Sequence, residues 1–220
     1  MSTKGYQLYP VFIDLAGAAV LVVGGGSVAA RKVPSLLAAG AAVTVVAPRI
    51  DPAIIRVRGP AGRAKIVRRA FRPRDVHRQK LIFAATGDPA LNRRIAAAAR
   101  RARILVNVAA PPEAGDIQIP SVVRRGRLSI AISTGGASAA LAAALRVRLE
   151  RTIGPEWTGW LNLLEQTRRR ILKKVSNAAV RRKLLQNLGN PRWAARVKKL
   201  GLPRVRAEVN KIVDAHRHER

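Results

Sequence analysis

The chain of 220 residues contains no cysteine. Disulfides, thiolate zinc sites, cysteine nucleophiles and cysteine-ligated iron–sulfur clusters are therefore excluded. No run approaches the roughly 18 consecutive apolar residues that a membrane-spanning helix needs, and no apolar segment of a secretory signal follows the first five residues. We therefore expect a cytoplasmic protein without a membrane span.

Acidic residues are scarce, because 12 Asp and Glu stand against 42 Lys and Arg, a formal net charge of +30. Residues 1–150 carry 24 basic and 7 acidic side chains, and residues 151–220 carry 18 and 5, so the excess is denser in the second segment. Such a field favours a polyanionic partner: nucleic acid, a nucleotide, a polycarboxylate or an anionic surface. A solvated basic surface without a partner is an equal alternative. Aromatic residues, at 4%, are few for stacking on nucleobases.

The first 112 residues alternate apolar runs with helical patterns. The runs predict strands at 18–23, 42–47, 64–69, 81–85 and 104–108, and the periodicity predicts helices at 27–39 and from Pro89 to about Arg103. This order indicates an α/β fold with a Rossmann-like, mostly parallel sheet and helices on both faces. Two further strands are predicted at 116–120 and 128–133, then a helix at 139–151 and Arg-rich amphipathic helices. We therefore divide the chain into a Rossmann-like segment (residues 1–112), a small α+β middle segment (residues 113–150) and a basic helical tail (residues 151–220).

The sharpest motif is Gly24-x-Gly26-x-x-Ala29, between the first strand and the first helix. Gly24 permits a tight turn, Gly26 lets backbone amides approach a pyrophosphate, and the helix N-terminus adds partial positive charge. The pattern indicates a dinucleotide site, and the alternative is a glycine turn in another doubly wound domain. The acidic residue that usually ends the second strand is missing, because Ala47-Pro48-Arg49 stands there. Arg49 either pairs with a ribose phosphate, which favours NADP, or lies in solvent, so these residues leave NAD and NADP open.

Two polar residues follow later strands at the carboxyl edge of the predicted sheet, where ligands bind in such folds. Thr86 is a candidate for the nicotinamide-ribose side, or part of a plain helix-entry turn. Asn107, at the end of the fifth strand, points to the same edge or satisfies local backbone. The three histidines (His77, His216 and His218) are not grouped with them, so no metal ligand set is predicted.

Several spaced motifs together resemble the precorrin-2 dehydrogenase family, the N-terminal module of siroheme synthases. They are Tyr9-Pro10-Val11-Phe12, Val22–Ala29 with Arg31-Lys32, Val45–Pro48, Ala84–Pro89 with Asn92-Arg93-Arg94, and Ile132–Ser138. The resemblance implies NAD-dependent oxidation of precorrin-2 to sirohydrochlorin, with insertion of ferrous iron in some members. It also implies a homodimer whose interface involves the middle segment and the tail. Family cofactor contacts fall on Ser27, Val28, Pro48 and Arg49, and the missing ribose acid is a family trait, so the resemblance favours NAD.

The sequence departs from the family at one position. Members usually read Asn-Val-Val-Asp after the fifth strand, and that Asp is implicated in catalysis, whereas Ala110 stands in its place here. The nearest replacement is Asp116, which matches a second acidic position of the family; the alternative is a strand-start residue capping a turn. Dehydrogenation can depend mainly on the cofactor, but chelation must remove two pyrrole protons and lacks the obvious base.

The polycarboxylate substrate gives part of the positive charge a use. Basic side chains stand between the two middle strands, and hydroxyl donors stand at the following glycine turn, so the candidate substrate residues are Arg124, Arg125, Arg127, Ser133, Thr134 and Ser138. For each Arg, a solvated surface position is the alternative.

A second function remains open beside the enzyme. In this alternative the chain is a non-catalytic relative that binds a dinucleotide or tetrapyrrole, and its basic tail binds nucleic acid. Ala110 favours this alternative, whereas the intact glycine loop and the Ser-Thr-Gly-Gly turn favour the dehydrogenase.

Overall fold

The computed structural model describes residues 8–216, so His218 lies outside the described residues. The chain forms two compact units that divide between Ile119 and Pro120. Ile119 lies seven residues after residue 112, where the predicted Rossmann-like segment ends. The division of the chain into three functional segments stays a prediction. None of the helices within residues 8–216 is long and apolar enough to cross a membrane.

The first unit is built on a five-stranded parallel sheet. The strands of this sheet are β1 (Ala19–Val23), β2 (Ala42–Val46), β5 (Lys65–Val67), β6 (Leu81–Ala84) and β7 (Leu105–Val108). Two short strands, β3 (Arg58–Gly59) and β4 (Gly62–Arg63), form a separate antiparallel pair. The helices of this unit are α1 (Ser27–Ala38), α2 (Pro52–Arg56) and α3 (Pro89–Arg101), with short 3₁₀ turns at Pro73–Val76 and Pro112–Ala114. The strand order β5-β2-β1-β6-β7 confirms the predicted Rossmann-like fold class.

The central strand β1 is buried because each of its faces is covered. Val20 and Val22 pack into one apolar layer with Val33 of α1, whereas Leu21 and Val23 pack into a second layer with residues of α3. A run that is apolar at every position is what a strand between two helical layers requires. Because β1, β2, β6 and β7 are parallel, their carboxyl ends meet at one edge of the sheet.

Local signals in the sequence set the ends of the two main helices. Gly40 follows α1 with φ +78°, which a glycine adopts at no steric cost. The side chain of Asp88 accepts a hydrogen bond from the amide of Ala90 (2.8 Å) at the start of α3.

The strand predicted at 116–120 is wrong. The backbone amides of Asp116 and Ile117 both bond to the carbonyl of Val106, at 2.8 and 3.3 Å, so this segment makes a local contact with the sheet edge instead of a ladder. The strand begins at Ser121, after Pro120, whose missing amide cannot donate to a ladder. Helix α2 and the short β3–β4 pair were not predicted, because each is too short to carry a periodic signal.

The second unit contains a hairpin and five helices. The hairpin pairs β8 (Ser121–Arg125) with β9 (Leu128–Ile132) in antiparallel register, and Gly126 at its turn has φ +57°. The helices are α4 (Ala139–Thr152), α5 (Glu156–Lys174), α6 (Ala178–Leu188), α7 (Arg192–Leu200) and α8 (Leu202–Ala215). The core formed by α5–α8 contains Trp160 and Trp193, whose rings stack with centroids 5.7 Å apart. The Arg-rich helices expected beyond residue 154 are therefore held together by a buried apolar core.

Candidate active site

The loops after β1 and β6 are in close contact at the carboxyl edge of the sheet. Gly24 has φ +121°, and a Cβ at this position would lie 2.2 Å from the carbonyl oxygen of Ala85. The amide of Gly24 donates to Val46 (3.0 Å), and the amide of Ala85 donates to Val23 (2.8 Å). Only glycine satisfies both the backbone conformation and the space at position 24.

The loop after β2 packs against the next glycine. A Cβ on Gly25 would lie 2.1 Å from the carbonyl oxygen of Arg49, and the amide of Asp51 donates to the carbonyl of Gly25 (2.7 Å). The motif Gly24-x-Gly26 allows any residue at position 25, so the sequence motif alone did not predict that glycine is required there. The run of three glycines was the signal that could have shown it.

Gly26 faces open space. A Cβ on Gly26 would meet no described atom within 4 Å, and the residue is exposed at the N-cap of α1. Ser27 is exposed and Val28 half-buried, whereas Ala29 is fully buried against the sheet. The first amides of α1 therefore lie beside an open cradle that a side chain would fill. Helix N-terminal amides beside such a space fit the pyrophosphate of a dinucleotide.

The exposed residues of the loop after β2 complete this side of the edge. Pro48 and Arg49 are exposed, and the guanidinium of Arg49 makes no hydrogen bond or ion pair to any described residue. Asp51 caps α2, because one carboxylate oxygen accepts the amide of Ala53 (2.8 Å). The structure thus brings a cation and an anion, Arg49 and Asp51, beside the glycine loop.

A buried side chain that sequence reasoning did not single out connects the loops after β6 and β7. Asn92 of α3 is 0% exposed. Its Oδ1 accepts the amide (3.2 Å) and hydroxyl (2.8 Å) of Thr86. Its Nδ2 donates to the carbonyls of Thr86 (3.2 Å) and Ala110 (2.8 Å). Thr86 is therefore held next to position 110, where the family places its acid.

Asn107 and Lys32 are polar residues close to Phe83 of β6. Asn107, which pairs with Phe83 across the ladder, is 7% exposed. Its Nδ2 donates to Ile117 (2.9 Å), and its buried Oδ1 has no partner within residues 8–216. The ammonium of Lys32 lies 5.5 Å from the ring centroid of Phe83. Burial, with a smaller contribution from the charge of Arg31, lowers the pKa of Lys32.

Asp116 lies along the edge strand rather than beyond its carboxyl end. Its carboxylate accepts the Nε of Arg100 (2.8 Å) and the amide of Val106 (3.3 Å), and Val106 lies two residues before the end of β7. Within residues 8–216, no hydrogen bond or ion pair joins the side chains of Asp116 and Thr86. Its catalytic role stays a prediction, and these contacts are those of a structural ion pair.

The three candidate arginines of the second unit differ in how their donors are used. Arg125 donates to the carbonyls of Ile153 (2.7 Å) and Glu150 (2.9 Å) at the end of α4. Arg127 pairs with Glu165, and this hydrogen bond lowers the pKa of the Glu165 carboxyl. Arg124 is exposed and has no side-chain partner in the part of the chain that the structure describes. Arg124 is thus the candidate with all its donors available.

The structure brings the three candidate hydroxyl residues together in the turn before α4. Thr134 accepts the amide of Ser138 (3.1 Å) and donates to its carbonyl (3.0 Å). The Ser133 hydroxyl accepts the amide of Gly135 (3.1 Å), and the Ser138 hydroxyl accepts the amide of Leu141 (3.1 Å) as the N-cap of α4. Because Ser133 and Ser138 act here as acceptors, each retains a hydroxyl proton that can be donated to a ligand.

Two family models match this chain, one over most of the first unit and one over part of the second. The family model described as "Putative NAD(P)-binding" matches residues 11–121, and the one described as "Sirohaem biosynthesis protein central" matches residues 125–152. Siroheme synthase of Methylococcus capsulatus is 38% identical over 173 residues, which are 79% of this chain and 36% of that protein. Siroheme synthase of Nitrosospira multiformis is 40% identical over 182 residues, 81% of this chain and 39% of that protein. The chain therefore spans well under half the length of these curated relatives.

A solved structure matches along its whole length. The protein titled SirC, precorrin-2 dehydrogenase, superimposes with a TM-score of 0.74 and 30% sequence identity, covering 93% of this chain and 100% of that chain. The resemblance inferred from the sequence motifs is therefore confirmed, and the glycine cradle at the carboxyl edge lies within the segment that the NAD(P)-binding model matches. The chain belongs to the precorrin-2 dehydrogenase family, which it shares with the matching segment of siroheme synthases.

Proposed function

We propose that this protein oxidises precorrin-2 to sirohydrochlorin with NAD as the oxidant, in siroheme biosynthesis. The observation that carries the proposal is the match to a precorrin-2 dehydrogenase over 100% of that chain, combined with a glycine loop that leaves an open cradle at the N-terminus of α1. A cytoplasmic location stays a prediction.

The glycine loop would hold the dinucleotide through its backbone. Gly24 and Gly25 bring three loops together, and the open side of Gly26 leaves the amides of Ser27 and Val28 accessible to the pyrophosphate. The dinucleotide, when bound, supplies the acceptor for a hydride taken from the tetrapyrrole. Thr86 and Asn107, at the ends of the strands beyond β1, are the proposed neighbours of the nicotinamide half.

The residues beside the glycine loop support NAD over NADP. Asp51 is the single acidic residue between positions 24 and 51, and its amide bonds to Gly25. A carboxylate near the adenosine ribose repels the extra phosphate of NADP. The positive charge of Arg49 would attract the same phosphate. Arg49 is exposed, whereas Asp51 is half-buried, so water and salt screen the charge of Arg49 more strongly than that of Asp51.

The second unit supplies the proposed substrate contacts. Arg124 has its donors free, and Ser133 and Ser138 each retain a hydroxyl proton, so these three residues are proposed to bind carboxylate arms. Arg125, Arg127 and Thr134 stay in the predicted set, although their donors already have partners within the unit. Ferrous iron insertion lies outside this proposal, since Ala110 offers no base for the two pyrrole protons.

We also propose that the protein acts as a homodimer. Helix α4 has one buried residue, Ala142, whereas Leu141 is 52% exposed and Leu145 38% exposed. An apolar helix surface of this kind is typical of a surface that a second chain covers. The family resemblance supplies the second copy of this chain as the partner.

A substitution that fills the cradle tests the proposed function. In Gly26→Ala, the new methyl group meets no described atom within 4 Å, so the fold is kept while the approach of the pyrophosphate is blocked. Anaerobically prepared precorrin-2 is mixed with NAD, and sirohydrochlorin absorbance and NADH are followed. We expect wild-type turnover and, for Gly26→Ala, a loss of NAD affinity of about tenfold or more.

Gly159→Ala in α5 is the matched control, because a Cβ at Gly159 comes no closer than 3.3 Å to any described atom, the end of the Leu202 side chain, and Gly159 lies outside the proposed dinucleotide site. Its NAD affinity should stay within about twofold of the wild type. Absence of wild-type turnover with both NAD and NADP, together with salt-sensitive binding to nucleic acid, would contradict the proposal and favour the non-catalytic alternative.

A further inference from the structure

Within residues 8–216, only the side chain of Asn92 forms hydrogen bonds with both the loop after β6 and the loop after β7. The Oδ1 atom of Asn92 accepts two hydrogen bonds, both from Thr86. Its Nδ2 group donates two, one to the carbonyl of Thr86 and one to the carbonyl of Ala110. A buried amide with all four bonds made is held in one orientation. The relative position of the two loops is therefore fixed by one residue of α3.

We propose that Asn92 is a positioning residue for hydride transfer, and this inference rests on the proposed function. It holds the backbone at position 110 against Thr86, so that the distance between the two loops stays constant. In an open parallel sheet, ligands bind outside the carboxyl ends of the strands, and these two loops follow adjacent strands at that edge. Because Ala110 supplies no acid, turnover depends on geometry, which makes the position of these loops more important.

The bonds of Asn92 serve the loops and not the helix that carries it. Helix α3 is held to the sheet by Ile95 and its alanine neighbours, which are buried in one apolar layer, and its first turn is capped by Asp88. All four side-chain bonds of Asn92 leave the helix for loop atoms. Removing them is therefore expected to release the loops while α3 stays in place.

The isosteric substitution Asn92→Asp separates the two sets of bonds. The carboxylate retains acceptors for the amide and hydroxyl of Thr86 but loses both donors, so the carbonyls of Thr86 and Ala110 lose their partner. Asn92→Ser serves as an uncharged second variant, in case a buried carboxylate prevents folding. Ile95→Val is the matched control, because it loosens the same helix at a buried position without touching either loop.

The test measures kcat, KM for NAD and precorrin-2, and amide hydrogen exchange at residues 86–88 and 109–110 in the full chain. We expect kcat to fall about tenfold or more in Asn92→Asp and Asn92→Ser, with faster exchange in both loops, since a small misplacement is costly in a positioned site. KM for NAD should change by less than about threefold, because the glycine loop is untouched. Ile95→Val should keep kcat within about twofold of the wild type.

Two results would overturn the inference. One is a wild-type kcat in both Asn92 variants, and the other is loop exchange no faster than in Ile95→Val. An inactive wild-type protein would count against the proposed function alone, since the exchange measurement still decides whether Asn92 fixes the loops.

Discussion

Three consecutive glycines do three different things after β1. Gly24 adopts a positive φ and touches the loop after β6, Gly25 touches the loop after β2, and Gly26 leaves open space at the helix N-terminus. The first two are required by close approach of backbone atoms, so they shape the edge of the sheet. A Cβ at Gly26 would meet no atom of residues 8–216 within 4 Å, so the packing of these residues does not require glycine there. Gly26 is therefore the informative position for a ligand.

Position 110 is the residue at which this chain departs from its family. The carbonyl of Ala110 is held by Asn92 (2.8 Å), so a side chain introduced there starts from a fixed backbone. We expect Ala110→Asp to raise kcat for precorrin-2 oxidation about tenfold or more, because a positioned acid or base typically contributes such factors. The measurement is steady-state turnover with saturating NAD.

Ala110→Asn is the control for the Asp variant, because it has the same size without a titratable proton. The account is contradicted at this position if both variants are equally active.

The variant Asp116→Asn tests whether Asp116 substitutes for the missing acid. Unaltered turnover would show that Asp116 is not the substitute, and its ion pair with Arg100 would then be its role.

Asp51 is expected to determine the choice between NAD and NADP. Asp51→Asn removes the carboxylate charge but keeps the cap of α2, since Asn and Asp are equally good N-cap residues. We expect the affinity for NADP relative to NAD to rise about threefold to tenfold, because the repulsion of the ribose phosphate is lost. Binding of each dinucleotide to the free protein by titration calorimetry provides the measurement, and an unchanged ratio would exclude Asp51 from this role.

At the scale of elements, the sequence predicts the sheet better than its connections. The apolar runs of β1, β2 and β6 are buried when they lie between two helical layers, and so the five strands and their mostly parallel direction could be inferred, whereas their order in the sheet was not predicted. The segment at 116–120 could not, because its alternating pattern resembles a strand while its amides bond to a single carbonyl, that of Val106. Asn92 was missed for a similar reason: its bonds join loops that are distant in sequence, and only the folded chain shows them.

Helix α4 is the element expected to join two copies of the chain. Leu145→Glu places a charge on its exposed apolar surface and is expected to shift the protein from dimer to monomer, because burying an unpaired carboxylate in an interface is costly. Sedimentation velocity at matched concentrations measures the change. Leu105→Glu on β7 is the control, since Leu105 is 47% exposed and lies in the first unit, outside the middle segment and the tail. Equal effects of the two substitutions, or a monomeric wild-type protein, would remove α4 from this role.

At the scale of the whole molecule, the positive charge is only partly used inside the fold. In the second unit, four acidic residues (Glu150, Glu165, Glu208 and Asp214) each pair with arginine, which leaves most of the basic side chains of residues 151–216 without an acidic partner. The proposed polycarboxylate substrate would use part of the net +17 of residues 1–150, whereas the net +13 of residues 151–220 has no assigned ligand. The nucleic-acid alternative is based on that second segment.

The central claim is that NAD takes a hydride from precorrin-2 on this chain. The most direct measurement mixes purified protein, anaerobic precorrin-2 and NAD, and compares the sirohydrochlorin formed with the NADH formed. The account predicts equal amounts of the two products with the wild-type protein and, at NAD concentrations below the wild-type Kd, about tenfold less of both products with Gly26→Ala. Sirohydrochlorin without NADH, or no product from the wild-type protein with either dinucleotide, would contradict it.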